Sequence, residues 1–456
     1  MNKLRTALWM AFYNLLAIPF LFVLFHLVAT LLGRTRTGAK IRLGRQGRAH
    51  LFAGLAEQMA AFPPDRPRFW LHAASLGECE QAKPILLELG RHFPHSVRVL
   101  TVFSPSAYQN LSRQNLPAEV MCYLPIDTLT NARRFLALVN PAAGVVIRHD
   151  YWPNFIWQAR RRGVFLLLAN ASVSANAATR RYWPGVRHFH REILANFAVI
   201  AAVSPAAAES LQPLLRHPER LRILGDTRYD QVLLRAQQAD LGRILPANWR
   251  PEAPVLVAGS TWPSDEEVLL PAFVAARQQV PGLRMILVPH EPTAAHLAGL
   301  EQRFQELHLP AARLSQPAAA GGAAILLVDR IGVLAELYGA GQIAFVGGSF
   351  GPGVHSVLEA AAHGIPVLFG PRMNNSPEAL EMKNAGLGRV VTDVATCTAG
   401  LLALLQDPAV CRELGRQCRA FVAAKAGATA RIVDLLQTAG AAQRWPSPLP
   451  CPPHSP

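Results

Sequence analysis

Short apolar runs rich in β-branched residues alternate with helical stretches along most of this chain, and this alternation constrains the fold more than any other feature. In the first half it predicts helices at Gln81–Leu89, Asn131–Val139 and Asn154–Arg161. Around them lie six runs that predict strands: Arg68–Ala74, Val97–Val102, Ala143–Ile147, Val164–Ala169, Val199–Val203 and Leu221–Leu224. Such a succession of strands and helices is typical of a parallel sheet covered by helices.

The same alternation begins again after the polar stretch Gln237–Glu252. A chain of 456 residues is too long for one ordinary core, so we predict two doubly wound α/β domains joined near residues 230–252. Ligands of such sheets bind beyond the carboxyl ends of the strands, and the loops found there are the places to look for chemistry. Five runs predict the strands of the second sheet: Val255–Ala258, Met285–Val288, Ala324–Val328, Ile343–Val346 and Val367–Phe369.

An almost wholly apolar run from Leu4 to Leu32 precedes both halves and is interrupted by Asn14, Pro19 and His26. It exceeds the ~20 apolar residues that span a bilayer. More basic residues follow the run than precede it, which favours a cytoplasmic body. A helix lying in the membrane plane and a buried helix of a soluble protein are the alternatives. We expect membrane attachment.

The charge balance favours an anionic partner. Lys and Arg number 45 against 30 Asp and Glu, a formal charge of +15, which suits nucleic acid, an acidic lipid surface or a phosphorylated substrate. The basic and aromatic stretch 180–191 suits nucleic acid, a phosphorylated lipid interface or plain solvent equally. The six cysteines form no CxxC pair and no metal-like spacing with histidine, so we interpret them as reduced cytosolic thiols.

The loop after the first predicted strand reads Ser75-Leu76-Gly77-Glu78 and leads into a helix. A serine followed three residues later by a glutamate is a capping box, which satisfies free backbone donors at a helix start. Taken alone, this spacing favours the cap, although a carboxylate at the open end of a strand would also be placed to deprotonate a hydroxyl. Two further charged residues also have two interpretations. Asp150 is a helix cap or a site residue, and Arg228 is an anion clamp or a surface ion pair.

A glycine-rich segment follows a strand of the second half, from Gly347 to Gly353, and leads into a helix. Glycines let backbone amides approach an anion, although glycines that only allow close packing give the same pattern. His355 and Glu359 lie four residues apart on one helix face, suiting a phosphate and a ribose. The loop Gly259-Ser260-Thr261 offers further hydroxyls and amides, whereas the acidic residues 265–267 are ordinary for a helix start.

Taken in order, these loops resemble the 3-deoxy-D-manno-octulosonic acid (Kdo) transferases of lipopolysaccharide synthesis. The resemblance runs from the apolar segment to about residue 390. It is carried by His72-Ala73-Ala74-Ser75-Leu76-Gly77-Glu78, Tyr151-Trp152-Pro153-Asn154, Asn170-Ala171, Gly225 to Asp230, Gly259-Ser260-Thr261, Phe345-Val346-Gly347-Gly348-Ser349, His355 with Leu358-Glu359, and Gly364 with Pro366-Val367-Leu368-Phe369-Gly370-Pro371.

The resemblance implies a GT-B fold, in which two Rossmann-like domains face each other across a cleft. It also implies inverting transfer of Kdo from CMP-Kdo to the phosphorylated lipid A precursor, lipid IVA, on the cytoplasmic side of the cell inner membrane. Neither cofactor nor metal is required, and nucleic acid is not a partner. We predict a membrane-anchor helix at 1–33, an acceptor-binding domain at 34–230, a CMP-sugar-binding domain at 231–440 and a disordered Pro-rich tail at 441–456.

The resemblance further implies roles for individual residues. Glu78 is the general base, against the capping interpretation. The acceptor side is expected to include Ser75, Gly77, Asp150 and Arg228. The donor side is expected to include Ser260, Thr261, His290, Gly348, Ser349, Gly351, Gly353, His355, Glu359 and Asn375.

Several positions depart from the commoner family pattern. The family usually has Glu where Asp150 stands, Arg where Ser172 stands and Asn where Ser356 stands. Its common Pro-Arg-His-Pro run is replaced here by Pro-His-Glu-Pro at 289–292, so a usual phosphate-binding arginine is missing. Which basic group holds the phosphate is left open. Another GT-B enzyme that uses a different nucleotide sugar and a membrane-tethered RNA-binding protein are the alternative functions.

Overall fold

A computed structural model describes residues 2–31, 35–173, 184–249, 253–443 and 445. The chain forms two compact units, Met1–Gln231 with Ala426–Pro456, and Val232–Lys425. Each unit contains one parallel sheet of seven strands. This confirms the predicted α/β class with two doubly wound sheets.

The first sheet has the strand order β3-β2-β1-β4-β5-β6-β7. The order reverses between β1 and β4, where His72 pairs with Val146. Such a reversal opens a crevice at the carboxyl ends of the two strands, where ligands of doubly wound sheets bind. The strands are β1 Arg68–Ala73, β2 Val97–Val102, β3 Val120–Tyr123, β4 Ala143–Ile147, β5 Phe165–Ala171, β6 Val199–Ala202 and β7 Leu221–Ile223.

Helices cover both faces of this sheet, and most strand residues outside the edge strand β7 are buried, as in a parallel sheet enclosed on two sides. The boundary between the two units falls within helix α11, Thr227–Gln238. The helices are α1 Asn2–Phe12, α2 Ile18–Leu31, α3 Arg36–Arg48, α4 Leu51–Ala60, α5 Leu76–His92, α6 Pro105–Leu111, α7 Leu129–Val139, α8 Pro153–Arg161, α9 Pro184–Leu194, α10 Pro205–Leu211 and α11 Thr227–Gln238.

The second sheet has the strand order β10-β11-β9-β8-β12-β13-β14, with its reversal between β8 and β12. Its strands are β8 Val255–Thr261, β9 Arg284–Pro289, β10 Ala311–Arg313, β11 Ile325–Leu327, β12 Ile343–Val346, β13 Val367–Phe369 and β14 Gly388–Val390. Its helices are α12 Pro263–Gln279, α13 Ala294–Glu306, α14 Leu334–Leu337, α15 Val357–Ala362, α16 Pro377–Asn384, α17 Val394–Leu405 and α18 Pro408–Lys425.

Three strands, β3, β10 and β14, are absent from the sequence prediction. All three lie at an edge of their sheet. They have only three or four residues each, and β10 and β14 are partly exposed, so their apolar signal is weak. Edge position and shortness therefore explain these omissions.

The last helix, α19 Ala428–Gln443, packs on the first unit, whereas the sequence prediction placed it with the second. Asp230 accepts hydrogen bonds from the amides of Gly427 and Thr429 at its start. Trp445 packs against Phe69 of β1. Of the predicted tail, residues 441–443 thus complete a helix, and 444 and 446–456 lie outside the described residues.

The N-terminal apolar segment is helical over residues 2–31, with a wider π turn at Tyr13–Ala17. Leu4–Leu24 is long and apolar enough to cross a membrane by length and composition. At the π turn the Tyr13 hydroxyl donates to the buried carboxylate of Asp127 at 2.9 Å, and Asn14 exchanges hydrogen bonds with Asn154. Most of its large apolar side chains are exposed, unlike those of a core helix.

Candidate active site

Glu78 lies at the carboxyl end of β1, in the first turn of α5. Its Oε2 accepts hydrogen bonds from the amides of Ala74 at 2.8 Å and Ser75 at 3.0 Å, while the Ser75 hydroxyl accepts from the Glu78 amide. The predicted capping box is therefore present. Oε1 of Glu78 makes no hydrogen bond within the described part of the chain, and the residue is 8% exposed. One oxygen fixes the side chain and the other stays available.

Asp150 follows β4, the strand beside β1. Its Oδ2 lies 3.3 Å from Nε2 of the buried His72 and also accepts from Nε1 of Trp152 at 3.3 Å. Nδ1 of His72 lies 3.0 Å from the hydroxyl of Thr101. These contacts hold one oxygen of Asp150 in place, because His72 is buried in β1 and Trp152 stacks on Phe103.

The start of α8 shows that Asp150 is not its cap. The carboxylate of Asp127 accepts from the amides of Asn154 and Phe155, the free donors of the first turn. Burial raises the pKa of Asp127 to about 7, against the opposing effect of these donors and of the Tyr13 hydroxyl. Asp127, distant in sequence, therefore does the capping, and Asp150 is not needed for it.

The remaining predicted residues of the first unit are placed differently from one another. Gly77 is exposed, and an added Cβ would meet no described atom within 4 Å, so close packing does not require this glycine. Arg228 donates from Nε to the buried Asp226 at 2.8 Å, which matches the ion-pair interpretation. Asn170 of the family motif is fully buried and bonds to Gln81 and Thr227, so its side chain ties β5 to two helices.

In the second unit, the glycine-rich loop wraps around the carboxylate of Asp265. Asp265 is fully buried and accepts from the amides of Gly348 at 2.7 Å, Phe350 at 3.1 Å and Trp262 at 2.9 Å. Burial raises the pKa of Asp265, and the three amides act against that rise. Two loop amides that the sequence offered to an anion are therefore already bonded to this side chain.

Two glycines of this loop are required by geometry. Gly348 has a φ of +84°, and a Cβ there would lie 2.3 Å from the carbonyl oxygen of Gly353. Gly353 has a φ of +135°, and a Cβ there would lie 2.6 Å from Oδ1 of Asn375. Both positions exclude other residues by backbone conformation and by space. The packing interpretation of these glycines is thus correct in part.

Three aromatic rings stack beside the loop. His290 lies between Trp262, at 4.9 Å between ring centroids, and His355, at 4.4 Å. Nε1 of Trp262 donates to Nε2 of His355 at 3.0 Å, so the proton of neutral His355 lies on Nδ1. Burial, with a contribution from His290, lowers the pKa of His355 to about 4. His355 is therefore neutral near pH 7 and offers one N–H.

Two predicted donor residues have hydroxyls that are engaged inside the second unit. Thr261 is buried and donates to Glu266 at 2.8 Å. Ser349 is buried, donates to the carbonyl of Val346 and accepts from the amide of Gly370. These two residues support the loop from within, and their hydroxyls do not face outward.

The other predicted donor residues lie nearer the surface. Ser260 has a positive φ of 53° at the end of β8. Oε1 of Glu359 lies 3.7 Å from Nη1 of Arg235, and both side chains are about one quarter exposed, at 25% and 26%. Asn375 is exposed and donates to the carbonyl of Val354. The Gly351 carbonyl accepts from Arg372.

Two such sheets, with polar side chains at their carboxyl ends, define an enzyme of the GT-B class. The solved structure of UDP-GlcNAc 2-epimerase from Neisseria meningitidis has the same fold, with a TM-score of 0.60 and 15% identity over 81% of this chain and 100% of that one. The fold is shared by transferases and epimerases, so the sequence relatives decide between them.

Residues 46–231 match the family described as 3-deoxy-D-manno-octulosonic-acid transferase (kdotransferase). The 3-deoxy-D-manno-octulosonic acid transferase of Bordetella pertussis is 30% identical over 416 residues, 86% of this chain and 92% of that protein. That of Haemophilus influenzae is 28% identical over 386 residues, 83% of this chain and 88% of that protein. The chain belongs to the 3-deoxy-D-manno-octulosonic acid (Kdo) transferase family and is a glycosyltransferase.

Sequence reasoning did not single out His72, Asp127 or Trp262. His72 contacts the predicted site residue Asp150, and Trp262 contacts His290 and His355, whereas Asp127 caps the helix that follows Asp150. His72 was quoted within a motif, but its partner Asp150 is 78 positions away. Position at the carboxyl end of a strand is the signal that would have identified His72, because β1 and β4 are neighbours. Asp127 and Trp262 carry no comparable local signal.

Proposed function

We propose that this chain transfers Kdo from CMP-Kdo to a sugar hydroxyl of the phosphorylated lipid A precursor, with inversion at the anomeric carbon. The proposal rests mainly on the hydrogen bonding of the Glu78 carboxylate. Two backbone amides bind Oε2, and Oε1 has no hydrogen-bond partner among the described residues. A general base needs a fixed carboxylate with a free oxygen, and Glu78 meets both requirements.

In the proposed reaction, Oε1 of Glu78 accepts the proton of the acceptor hydroxyl. The acceptor oxygen forms a bond to the anomeric carbon of Kdo, on the face opposite the CMP oxygen. The bond between the anomeric carbon and that oxygen breaks, and its electron pair leaves with the phosphate of CMP. The proton remains on Glu78 until water removes it. Asp150, held through one oxygen by His72 and Trp152, binds a second hydroxyl of the acceptor.

The second unit is proposed to bind CMP. His355 presents a neutral N–H from Nδ1, because Nε2 is occupied by Trp262. An uncharged donor stabilises a leaving phosphate without having to lose a proton itself. Glu359 lies four positions further along the chain, within α15, which begins at Val357, so the two residues do not share a helix face as the sequence predicted. Glu359 is assigned to the ribose hydroxyls. No metal or cofactor is needed for this scheme.

Membrane attachment belongs to the same proposal. The lipid A precursor is held in a membrane by its acyl chains, so its transferase gains from being held there too. The exposed apolar side chains of α1 and α2 suit burial in lipid, and the polar contacts of Tyr13 and Asn14 tie this segment to the first unit. We assign the enzyme to the inner membrane, with both units on the cytoplasmic side.

Incubation of the purified full-length chain with CMP-Kdo and lipid A precursor, followed by mass analysis, tests the proposal. The expected product is the precursor carrying added Kdo, with CMP released in equal amount. UDP-GlcNAc serves as the competing donor in a parallel reaction. Transfer from the UDP-sugar, or no transfer from CMP-Kdo in membrane-like detergent micelles, would contradict the proposal.

A further inference from the structure

Arg148 has a backbone conformation that its side chain does not favour. Five non-glycine residues of the described ranges have a positive φ, and three of them, Arg148, Asn170 and Ser260, stand at or just beyond the carboxyl end of a strand. Arg148 has a φ of 65°. Asparagine adopts this left-handed region readily, whereas a long side chain does so at a cost in free energy. Such strain concentrates at functional sites.

The backbone of Arg148 is held at the edge of the sheet where Glu78 lies. Its amide donates to the carbonyl of Ala169 in β5 at 2.8 Å. On the other side, β4 pairs with β1 so that His72 stands beside Val146. Arg148 directly follows β4, as Ala74 directly follows β1, and the amide of Ala74 binds Glu78.

The guanidinium of Arg148 has an unmet donor among the described residues. Its Nε is buried and has no hydrogen-bond partner in the part of the chain that the structure describes. Asp150 stands only two positions away, but its Oδ2 contacts His72 and Trp152 instead. By contrast, Arg228 of the same unit is paired with Asp226. A buried guanidinium N–H without an acceptor raises the free energy of the folded protein, and a bound anion would supply the missing acceptor.

Three other arginines also have a buried nitrogen without a partner among the described residues. Arg68 and Arg284 begin β1 and β9, which places them at the amino ends of their strands, away from the ligand-binding edge. Arg191 lies on helix α9. Of these four arginines in the described ranges, Arg148 is the one that combines an unmet donor with a strained backbone at the carboxyl end of a strand.

We propose that Arg148 binds an anionic oxygen group of the substrates, either the carboxylate of the Kdo donor or a phosphate of the acceptor. The proposal rests on the function proposed above, in which both substrates are anionic. A guanidinium suits such groups because its parallel N–H bonds match two oxygens of a carboxylate or phosphate.

The test uses Arg148→Asn, because asparagine tolerates the left-handed backbone while removing the charge. The thermal midpoint of this variant should equal or exceed that of the wild type. Its kcat/KM should fall about 10- to 100-fold, the range expected for a lost charged hydrogen bond. Arg148→Lys should restore part of the loss. Arg113→Ala, which removes an exposed cation of the same unit, should leave kcat/KM unchanged.

Varying each substrate separately identifies the anion. If Arg148→Asn raises KM for CMP-Kdo, and does so with dephosphorylated acceptor as well, the ligand is the carboxylate. If Arg148→Asn raises KM for the phosphorylated acceptor but not for the dephosphorylated one, the ligand is a phosphate. Wild-type kcat/KM in Arg148→Asn, or a fall in thermal midpoint that parallels the activity loss, would overturn the assignment. An inactive wild-type enzyme would instead overturn the proposed function.

Discussion

The carboxylate of Asp265 accepts a hydrogen bond from the amide of Gly348 at 2.7 Å, so an acidic side chain occupies the glycine loop of the second unit. The loop is therefore shaped before any ligand binds, by a residue 83 positions earlier in the chain. A preformed loop costs less free energy to order on binding than a mobile one. Under the proposed function, the donor phosphate is then held mainly by groups other than the amides of Gly348 and Phe350, and we propose the N–H of His355 as one of these groups.

Replacing Asp265 by Asn should loosen the loop. Asparagine has one acceptor oxygen for three amides, and its NH2 group would face at least one backbone N–H. A buried donor left without an acceptor costs about 1–3 kcal/mol. The thermal midpoint should fall by roughly 3–10 °C, and affinity for CMP should fall with it. Glu267→Gln, an exposed acid on the same helix, is the control. An unchanged midpoint would show that the contact does not stabilise the loop.

Asp127 should make stability depend on pH. Burial raises its pKa to about 7 from an unfolded value near 3.8, so between these values the folded chain binds a proton that the unfolded chain releases. The contribution of Asp127 to stability is then fully present below about pH 4 and is lost as the pH rises through about 7.

Asp127→Asn mimics the protonated carboxyl and should remove this dependence. The thermal midpoint of the wild type minus that of Asp127→Asn should therefore be larger at pH 5 than at pH 8. Asp65→Asn, at an exposed position of the same unit, should show a constant difference from the wild type. An equal difference at both pH values for Asp127→Asn would contradict the account.

His355 should act through its neutral form. Its pKa of about 4 keeps it uncharged throughout the working range, so CMP affinity should show no step near pH 6.5 that depends on this residue. His355→Asn places an N–H near the position of Nδ1 and should retain most of the affinity. His355→Ala should weaken CMP binding about 10-fold. His308→Asn, exposed in the same unit, is the control. Calorimetry measures all four proteins.

Glu359 is assigned to the ribose, which CMP and UDP share. Glu359→Gln should therefore lower the affinity for both nucleotides by a similar factor, about 5- to 10-fold. The wild type should bind CMP more tightly than UDP. Competition binding measures the affinities of each variant for CMP and for UDP in one experiment. Glu306→Gln, at an exposed position of the same unit, should change neither. If Glu359→Gln altered the preference between the bases, the residue would have to contact the base.

Local patterns were sufficient for much of the fold and for the capping box of Ser75 and Glu78. The capping box is a contact between residues three apart, so its spacing is visible in the sequence. Buried strands such as β4 and β12 were found because every residue in them is apolar and enclosed. Edge strands such as β10 were missed because half of their surface is free and their composition is mixed.

Contacts between distant segments could not be predicted in the same way. Asp265 was interpreted as an ordinary residue of a helix start, and its bond to Gly348 depends on the pairing of β8 with β12. The position of α19 on the first unit depends on Asp230, which lies 199 residues before its partner Thr429. Such contacts follow from strand order, which no local pattern encodes.

The most direct test of the account is the single substitution Glu78→Gln. Glutamine keeps the capping box, since its amide oxygen still accepts from Ala74 and Ser75, but it cannot take a proton. The account predicts an unchanged thermal midpoint and CMP affinity, with kcat lowered by about 10²- to 10⁴-fold. Glu57→Gln, an exposed glutamate of α4, should keep full activity. Wild-type turnover in Glu78→Gln would mean that Glu78 only caps its helix.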